Sequence, residues 1–294
     1  MMAGMTLAPI DLFHGGHDRI VGVYVFETDD GLALFDCGPS STIAALKQGL
    51  AERGLKLQDI RHLLLSHIHF DHAGAAGTLV REHPGLRVHV SQIGAPHIVD
   101  PTRLERSARR VWGDSFDALW GALEPVPQEN VEPVGDRAVG MEIFPTPGHA
   151  SHHVSYLAPD GTLHAGDAVG VRILPGSYVF PAAPPPDIDL EGWEQTFRSI
   201  EERSPARFAL THFGVAEDAE EHLARMREAL VRLAERVRSG MSQEEFTAAC
   251  RGDVVASREG DVAYYDRAGP FWQTYLGLKR YWDKKAEAAA TAWG

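Results

Sequence analysis

An α+β fold is predicted for this chain. It comprises a strand-rich domain over residues 1–214, with a helical insertion at about 94–123, and a helical extension over 215–294. Three observations predict it. Hairpin and helix–strand units occur twice within the first 214 residues, which suggests two related halves. A run of amphipathic helical character, Gly94 to Leu123, interrupts the strands. After Ala216 the apolar residues recur at helical spacing, as in Leu223, Met226, Leu230, Leu233 and Val237.

Taken in order, Val21–Phe26 and Leu32–Phe35 are apolar runs joined by Thr28-Asp29-Asp30-Gly31, which reads as a hairpin. Ser40 or Ser41 is expected to cap a helix running to about Arg53 and closed by Gly54. Ile60–Leu65 reads as a buried strand, Ala73–Arg81 as a helix and Arg87–Val90 as a short strand. In the insertion, Thr102 and Glu105 are expected to form a capping box. Arg103, Arg106, Arg109 and Arg110 read as a solvated helix face. Ala138–Phe144 resumes strand character, and His153–Leu157 and Thr162–Ala165 flank a Pro159-Asp160-Gly161 turn. The Pro/Gly-rich stretch from Gly170 to Pro186 cannot be regular structure. A helix from Leu190 to Glu202 and a strand Arg207–Leu210 follow. In the extension, Ser242 and Glu245 form a second capping box, and a dense aromatic set ends the chain (Tyr264, Tyr265, Phe271, Trp272, Tyr275, Tyr281, Trp282).

The formal net charge of −13 argues against nucleic acid or an anionic membrane as a partner. No segment is long and apolar enough to span a bilayer. Met1–Pro9 lacks the basic region and apolar core of a secretory leader, so a cytoplasmic location is expected. Two cysteines, Cys37 and Cys250, give no disulfide framework.

The run Leu65-Ser66-His67-Ile68-His69-Phe70-Asp71-His72-Ala73-Gly74 follows the buried strand and carries three imidazoles and a carboxylate in six positions. These ligand types suit zinc, iron or manganese. In an extended loop His67 and His69 project to the same side, so both can reach one ion. Asp71 and His72, at the turn into a helix, point back toward a second position close by. Two neighbouring ions need a bridging anion, and Asp167 in His164-Ala165-Gly166-Asp167 is the candidate. His149, in Thr146-Pro147-Gly148-His149, can complete the first site, and His212 the second.

This pattern, His-x-His-x-Asp-His followed by a Gly-His loop, a Gly-Asp loop and a terminal His loop, resembles the metallo-β-lactamase superfamily over about residues 19–214. The resemblance implies a four-layer αβ/βα sandwich with a dinuclear site on one edge. It implies that His67, His69 and His149 hold the first ion, Asp71, His72 and His212 the second, and that Asp167 bridges. Asp36, matching the family's Asp-x-Gly turn, is expected to support the metal loops without binding metal. The cofactor implied is two divalent ions, zinc first, with iron or manganese as alternatives. The activity implied is attack by a metal-bridging hydroxide on an ester, lactone or thioester of a small molecule, with Asp71 handling the proton. A phosphodiesterase and a mononuclear-iron persulfide dioxygenase-like oxidoreductase are the other readings. Asp36, His153, Arg172 and Tyr178 are further candidates for support of the site or for the substrate pocket. Arg172 is the only basic residue in the stretch after Asp167 where glyoxalase II relatives are rich in Gly and Arg, and Gly170 stands where many lactonases carry a Tyr. The aromatic tail is compatible with a homodimer.

Overall fold

A computed structural model describes residues 7–258 and 260–291 of the chain; most of the Met1–Pro9 segment therefore lies outside the described residues. The first half forms a six-stranded sheet in the order β1 (Ile10–Asp11), β2 (Gly22–Thr28), β3 (Gly31–Phe35), β4 (Ile60–Leu64), β5 (Arg87–Val90) and β6 (Val131–Pro133). The second half forms another, with β7 (Arg137–Ala138), β8 (Met141–Pro145), β9 (Val154–Leu157), β10 (Thr162–His164), β11 (Arg207–Leu210) and β12 (Gly214–Ala216) adjacent in sequence order. β3 to β6 pair parallel, as does β10 with β11; the other pairs are antiparallel.

Alternation along the strands sets the layers, because successive side chains face opposite sides of a sheet. Ala33 and Phe35 of β3 join Tyr24, Leu64, Met141, Ile143, Tyr156 and Ala209 in a cluster drawn from both sheets. Leu34 and Leu63 face the other way, into a larger cluster with helices α1 (Ile43–Ala51) and α3 (Ala76–Glu82). The two sheets thus pack face to face with helices outside. Two buried tyrosines stitch them: Tyr24 Oη lies 2.8 Å from the Leu210 carbonyl, and Tyr156 Oη donates to Leu65 O at 3.1 Å. Each bond falls where a strand gives way to a histidine-bearing loop.

Between these elements lie α2 (Phe70–Ala73), the insertion helices α4 (Ala95–Val99), α5 (Thr102–Trp112) and α6 (Phe116–Trp120), and α7 (Leu190–Arg203). The extension is α8 (Ala219–Arg238), α9 (Gln243–Ala256), α10 (Val262–Ala268) and α11 (Phe271–Thr291). Its buried residues, among them Met226, Leu233, Phe246, Tyr265 and Phe271, share one apolar cluster with the first sheet and with Val171, Phe180 and Ala183 of the irregular stretch. No helix of the described residues is long and apolar enough to cross a membrane.

Several local expectations are corrected. Ser40 and Ser41 do not cap α1; their hydroxyls donate to Ala122 O and Leu119 O, both at 2.6 Å, and tie the insertion to the first sheet. Thr102 lies inside α5 and caps nothing, because Pro101 occupies the N-cap and Asp100 accepts the Thr102 N–H. The helix expected over 73–81 begins later, as α3 at Ala76, with the short α2 before it, and Val139-Gly140 turns what reads as one strand into β7 and β8. β12 was not expected. The Ser242–Glu245 capping box is present.

Candidate metal centre

Four loops at one edge of the sandwich bring seven side chains together. The ligand atoms of His67, His69 and His149 lie within 4.8 Å of one another, as do those of Asp71, His72 and His212, and those of His67, His72 and Asp167. In the first group, His69 Nδ1 is 2.9 Å from both His67 Nε2 and His149 Nε2. The other nitrogens of those two rings decide where the protons sit. His149 Nδ1 is 2.8 Å from the Ala182 carbonyl, which can only accept, so His149 Nδ1 carries the proton and Nε2 a lone pair. Ser66 Oγ donates to Asp36 and is 3.0 Å from His67 Nδ1, which therefore donates to it and leaves a lone pair on His67 Nε2 as well. His69 Nδ1 can donate to one of these lone pairs and must face the other unsatisfied. A cation at their meeting point removes that conflict, so the donor set fits a metal ion.

The second group gives the same answer. His72 Nδ1 donates to Asp36 Oδ2 at 2.7 Å, and His212 Nδ1 donates to the Ile20 carbonyl. Both Nε2 atoms face inward, 3.4 Å from Asp167 Oδ1. His72 Nε2, His212 Nε2 and Asp167 Oδ1 are buried with no hydrogen-bond partner among the described residues. Asp167 Oδ2 lies 3.4 Å from His149 Nε2, so this carboxylate offers one oxygen to each group. Asp71 Oδ2 is 3.5 Å from His212 Nε2. Asp71 keeps 22% of its side chain exposed against 5% for Asp167, and with His69 and Phe70 it forms the open side of the site.

Electrostatics follow the geometry. Burial would lower the His72 pKa, but Asp167, Asp71 and Asp36 outweigh it and hold the ring well above the usual imidazole range. Burial would raise the Asp167 carboxyl, but His72, His149 and His212 hold it well below the usual carboxylate range. In the first group burial dominates, and the neighbouring imidazoles add to it, so His67 is held neutral, well below 6.5. One group is therefore neutral and nitrogen-rich, the other carboxylate-rich.

The supporting residues are mostly backbone-anchored. Asp36 is fully buried and accepts from Ser66 N at 2.8 Å, Ser66 Oγ, His72 Nδ1 and Thr211 Oγ1. It ties the loop of His67 to His72 to the end of β11 without joining either group. His153 Nδ1 meets Thr146 Oγ1 at 2.7 Å, and its Nε2 accepts the Asp167 N–H at 3.1 Å, fixing the loop of the shared carboxylate. Trp193 Nε1 donates to Ala168 O, and Gly148 is glycine because a Cβ there would sit 2.5 Å from Trp193.

Two candidates are not brought to the site by their side chains. The Arg172 guanidinium is buried on Gly176 O and Asp218, so it offers no charge to a substrate; only its main chain reaches the centre, its N–H donating to His212 O at 2.7 Å. Tyr178 stacks edge-on against Tyr265 and turns toward Arg232 and Asp253 of the extension. Sequence reasoning missed Ser66, Thr146 and Thr211, whose only signal was adjacency to the ligand motifs. His14, outside the ligand set, is buried and stacks on Trp120.

A family model described as the metallo-beta-lactamase superfamily matches residues 18–212. The chain belongs to this superfamily. A metallo-beta-lactamase fold-containing protein of Sulfurisphaera tokodaii is 28% identical over 219 residues, 71% of this chain and 79% of that protein. A hydroxyacylglutathione hydrolase of Legionella pneumophila is 25% identical over 166 residues, and the match spans 56% of this chain and 52% of that enzyme, about half its length. The crystal structure of a metallo-beta-lactamase family protein from Thermus thermophilus superposes with a TM-score of 0.69 at 20% identity, covering 96% of this chain and 93% of that one. Family and relatives together support a metal-dependent hydrolase in general terms.

Proposed function

We propose that the chain is a dinuclear metal-dependent hydrolase that cleaves an ester, lactone or thioester of a small molecule. The observation that carries this reading is the pair of donor groups meeting at Asp167, which turns one carboxylate oxygen to each. His67, His69 and His149 would hold one ion, and Asp71, His72 and His212 the other, with zinc as the expected metal. Two such ions, when bound, acidify a water toward neutrality and polarise a scissile carbonyl oxygen.

The protein's own residues supply the rest. Proton-bearing Nδ1 atoms on His67, His72, His149 and His212 fix each ring with its Nε2 turned inward, the atom that would face an ion. Asp71, partly exposed and held ionised by His72 and His212, can accept a proton and return it to a leaving group at the open side. The open side is bordered by Phe70 and Trp120, apolar rings that exclude water and favour an uncharged acyl substrate over a phosphodiester. A relative named for hydroxyacylglutathione points toward acyl chemistry too. The commitment of Arg172 to Asp218 argues against glutathione itself as the substrate of this chain.

The test is proton release in weak buffer by zinc-loaded protein against a lactone, a thioester, an aryl ester and a phosphodiester. The proposal expects turnover on one of the first three that is lost in Asp167→Ala. Turnover of the phosphodiester alone, or of none with two ions bound, would overturn it.

A further inference from the structure

Beside the open edge of the metal centre, four separate segments contribute a chain of ring contacts. Phe70, between His69 and Asp71, lies 5.7 Å from Trp120 of α6. Trp120 lies 5.4 Å from Trp112 of α5, which is 6.0 Å from Trp272 of α11. His14, from the turn after β1, stacks on Trp120 at 5.2 Å with the ring planes 26° apart. Phe70, Trp112, Trp120 and Trp272 are all half-buried, so ring surface stays open along the row.

The row holds two polar atoms that apolar packing does not explain. His14 is only 8% exposed and its Nδ1 is buried without a hydrogen-bond partner among the described residues. The same is true of Trp120 Nε1, a nitrogen that can only donate. An indole N–H left so carries an uncompensated desolvation cost, which a ligand bearing an acceptor would recover. Phe13, Gly15 and Gly16 all adopt left-handed backbone around His14, so the turn holds the ring in one place. His14 also stands within electrostatic reach of Asp71 and His212, on the side of the carboxylate-rich group.

We infer that His14 and Trp120 form the substrate-recognition surface of this edge, and that the substrate carries an aromatic ring with a nearby hydrogen-bond acceptor. This rests on the hydrolase reading for what happens to the substrate. The ring stacks along the indole row, where offset and edge-to-face contacts favour another arene over an alkyl chain. The acceptor, a carbonyl or ether oxygen, takes the Trp120 N–H, and His14 Nδ1 meets the same polar group. The ester bond then lies toward Asp71. His14 and Trp120 are binding residues here and take no part in bond cleavage.

The test uses two uncharged amides of similar size, phenylacetamide and hexanamide, titrated calorimetrically into the full chain with and without zinc. Phenylacetamide should bind about three- to tenfold more tightly. Trp120→Phe keeps a ring and removes the donor, and should weaken both amides by about three- to tenfold. Trp120→Leu should also abolish the aryl preference. Equal affinity for the two amides in the unaltered protein, or unchanged phenylacetamide binding by a Trp120→Phe protein with native circular dichroism, would overturn the inference. The two readings separate cleanly. Ester turnover without aryl preference refutes this inference alone; aryl binding without turnover on any ester, lactone or thioester refutes the hydrolase reading alone.

Discussion

Replacing Asp36 by Asn tests how the fold prepares the second metal group. Asp36 sits at φ 55°, in the left-handed region that Asp and Asn tolerate better than other residues, so the backbone survives the change. The side chain keeps its shape but loses one acceptor. If the amide oxygen stays on the Ser66 N–H, now 2.8 Å away, the amide nitrogen faces His72 Nδ1, which stands 2.7 Å from the present Oδ2. Donor then meets donor. His72 resolves this by giving up its Nδ1 proton and keeping one on Nε2, the atom 3.4 Å from Asp167 Oδ1 that is needed for a metal. Outer partners of this kind are worth about 10- to 100-fold in metal affinity. Titration of apo protein with zinc against a chromophoric chelator should therefore show one equivalent unchanged and the other weakened by about that factor. The mispaired amide should also cost about 1–3 kcal/mol of stability. Two equivalents bound with unaltered affinities would refute the reasoning, since the His72 tautomer would then not depend on Asp36.

Further predictions follow from the packing. His222 donates from Nε2 to Val169 O, and burial pushes its pKa down to about 4 from the ordinary 6.5. The folded protein holds this ring neutral, so its contribution is complete above about pH 6.5 and is lost as pH falls toward 4, where the unfolded chain takes up the proton first. The gap corresponds to about 3 kcal/mol in full, of which about 2 kcal/mol is lost by pH 5; His222→Gln keeps a donor, and urea unfolding of the apo variant at pH 7.5 and pH 5 should differ less than for the unaltered protein by about 2 kcal/mol. Gly277 of α11 lies against the irregular stretch, where a Cβ would overlap the Ala183 carbonyl oxygen. Gly277→Ala should cost about 1–3 kcal/mol, read as a lower melting temperature; an unchanged one would mean that α11 does not pack there.

How much of this was readable in advance depended on how local the determining physics is. The hairpin of β2 and β3 was legible because Tyr24–Phe26 and Leu32–Phe35 are apolar and Thr28-Asp29-Asp30-Gly31 is turn chemistry, all within one window. The seven candidate ligands were legible because few chemistries use so many imidazoles and carboxylates in loops after strands, and the fold does converge them. Long-range partners were not. Ser40 and Ser41 look like caps until α6 arrives from about 80 residues away to accept their hydroxyls. The Thr102 box failed because Pro101 and Asp100 reached the helix start first. Arg172 read as a candidate for the site or substrate pocket, but Asp218, 46 residues on, pairs with its guanidinium. β12, three residues beginning at Gly214, has neither the apolar run nor the flanking turn signal that marked β10.

The central claim is that two donor groups share Asp167 and each holds an ion. The most direct measurement is metal content per chain, by inductively coupled plasma mass spectrometry after loading with zinc and gel filtration. The account predicts two ions for the unaltered protein and one for His212→Ala, which removes a donor from the carboxylate-rich group and leaves His67, His69 and His149 intact. One ion in both proteins would contradict it.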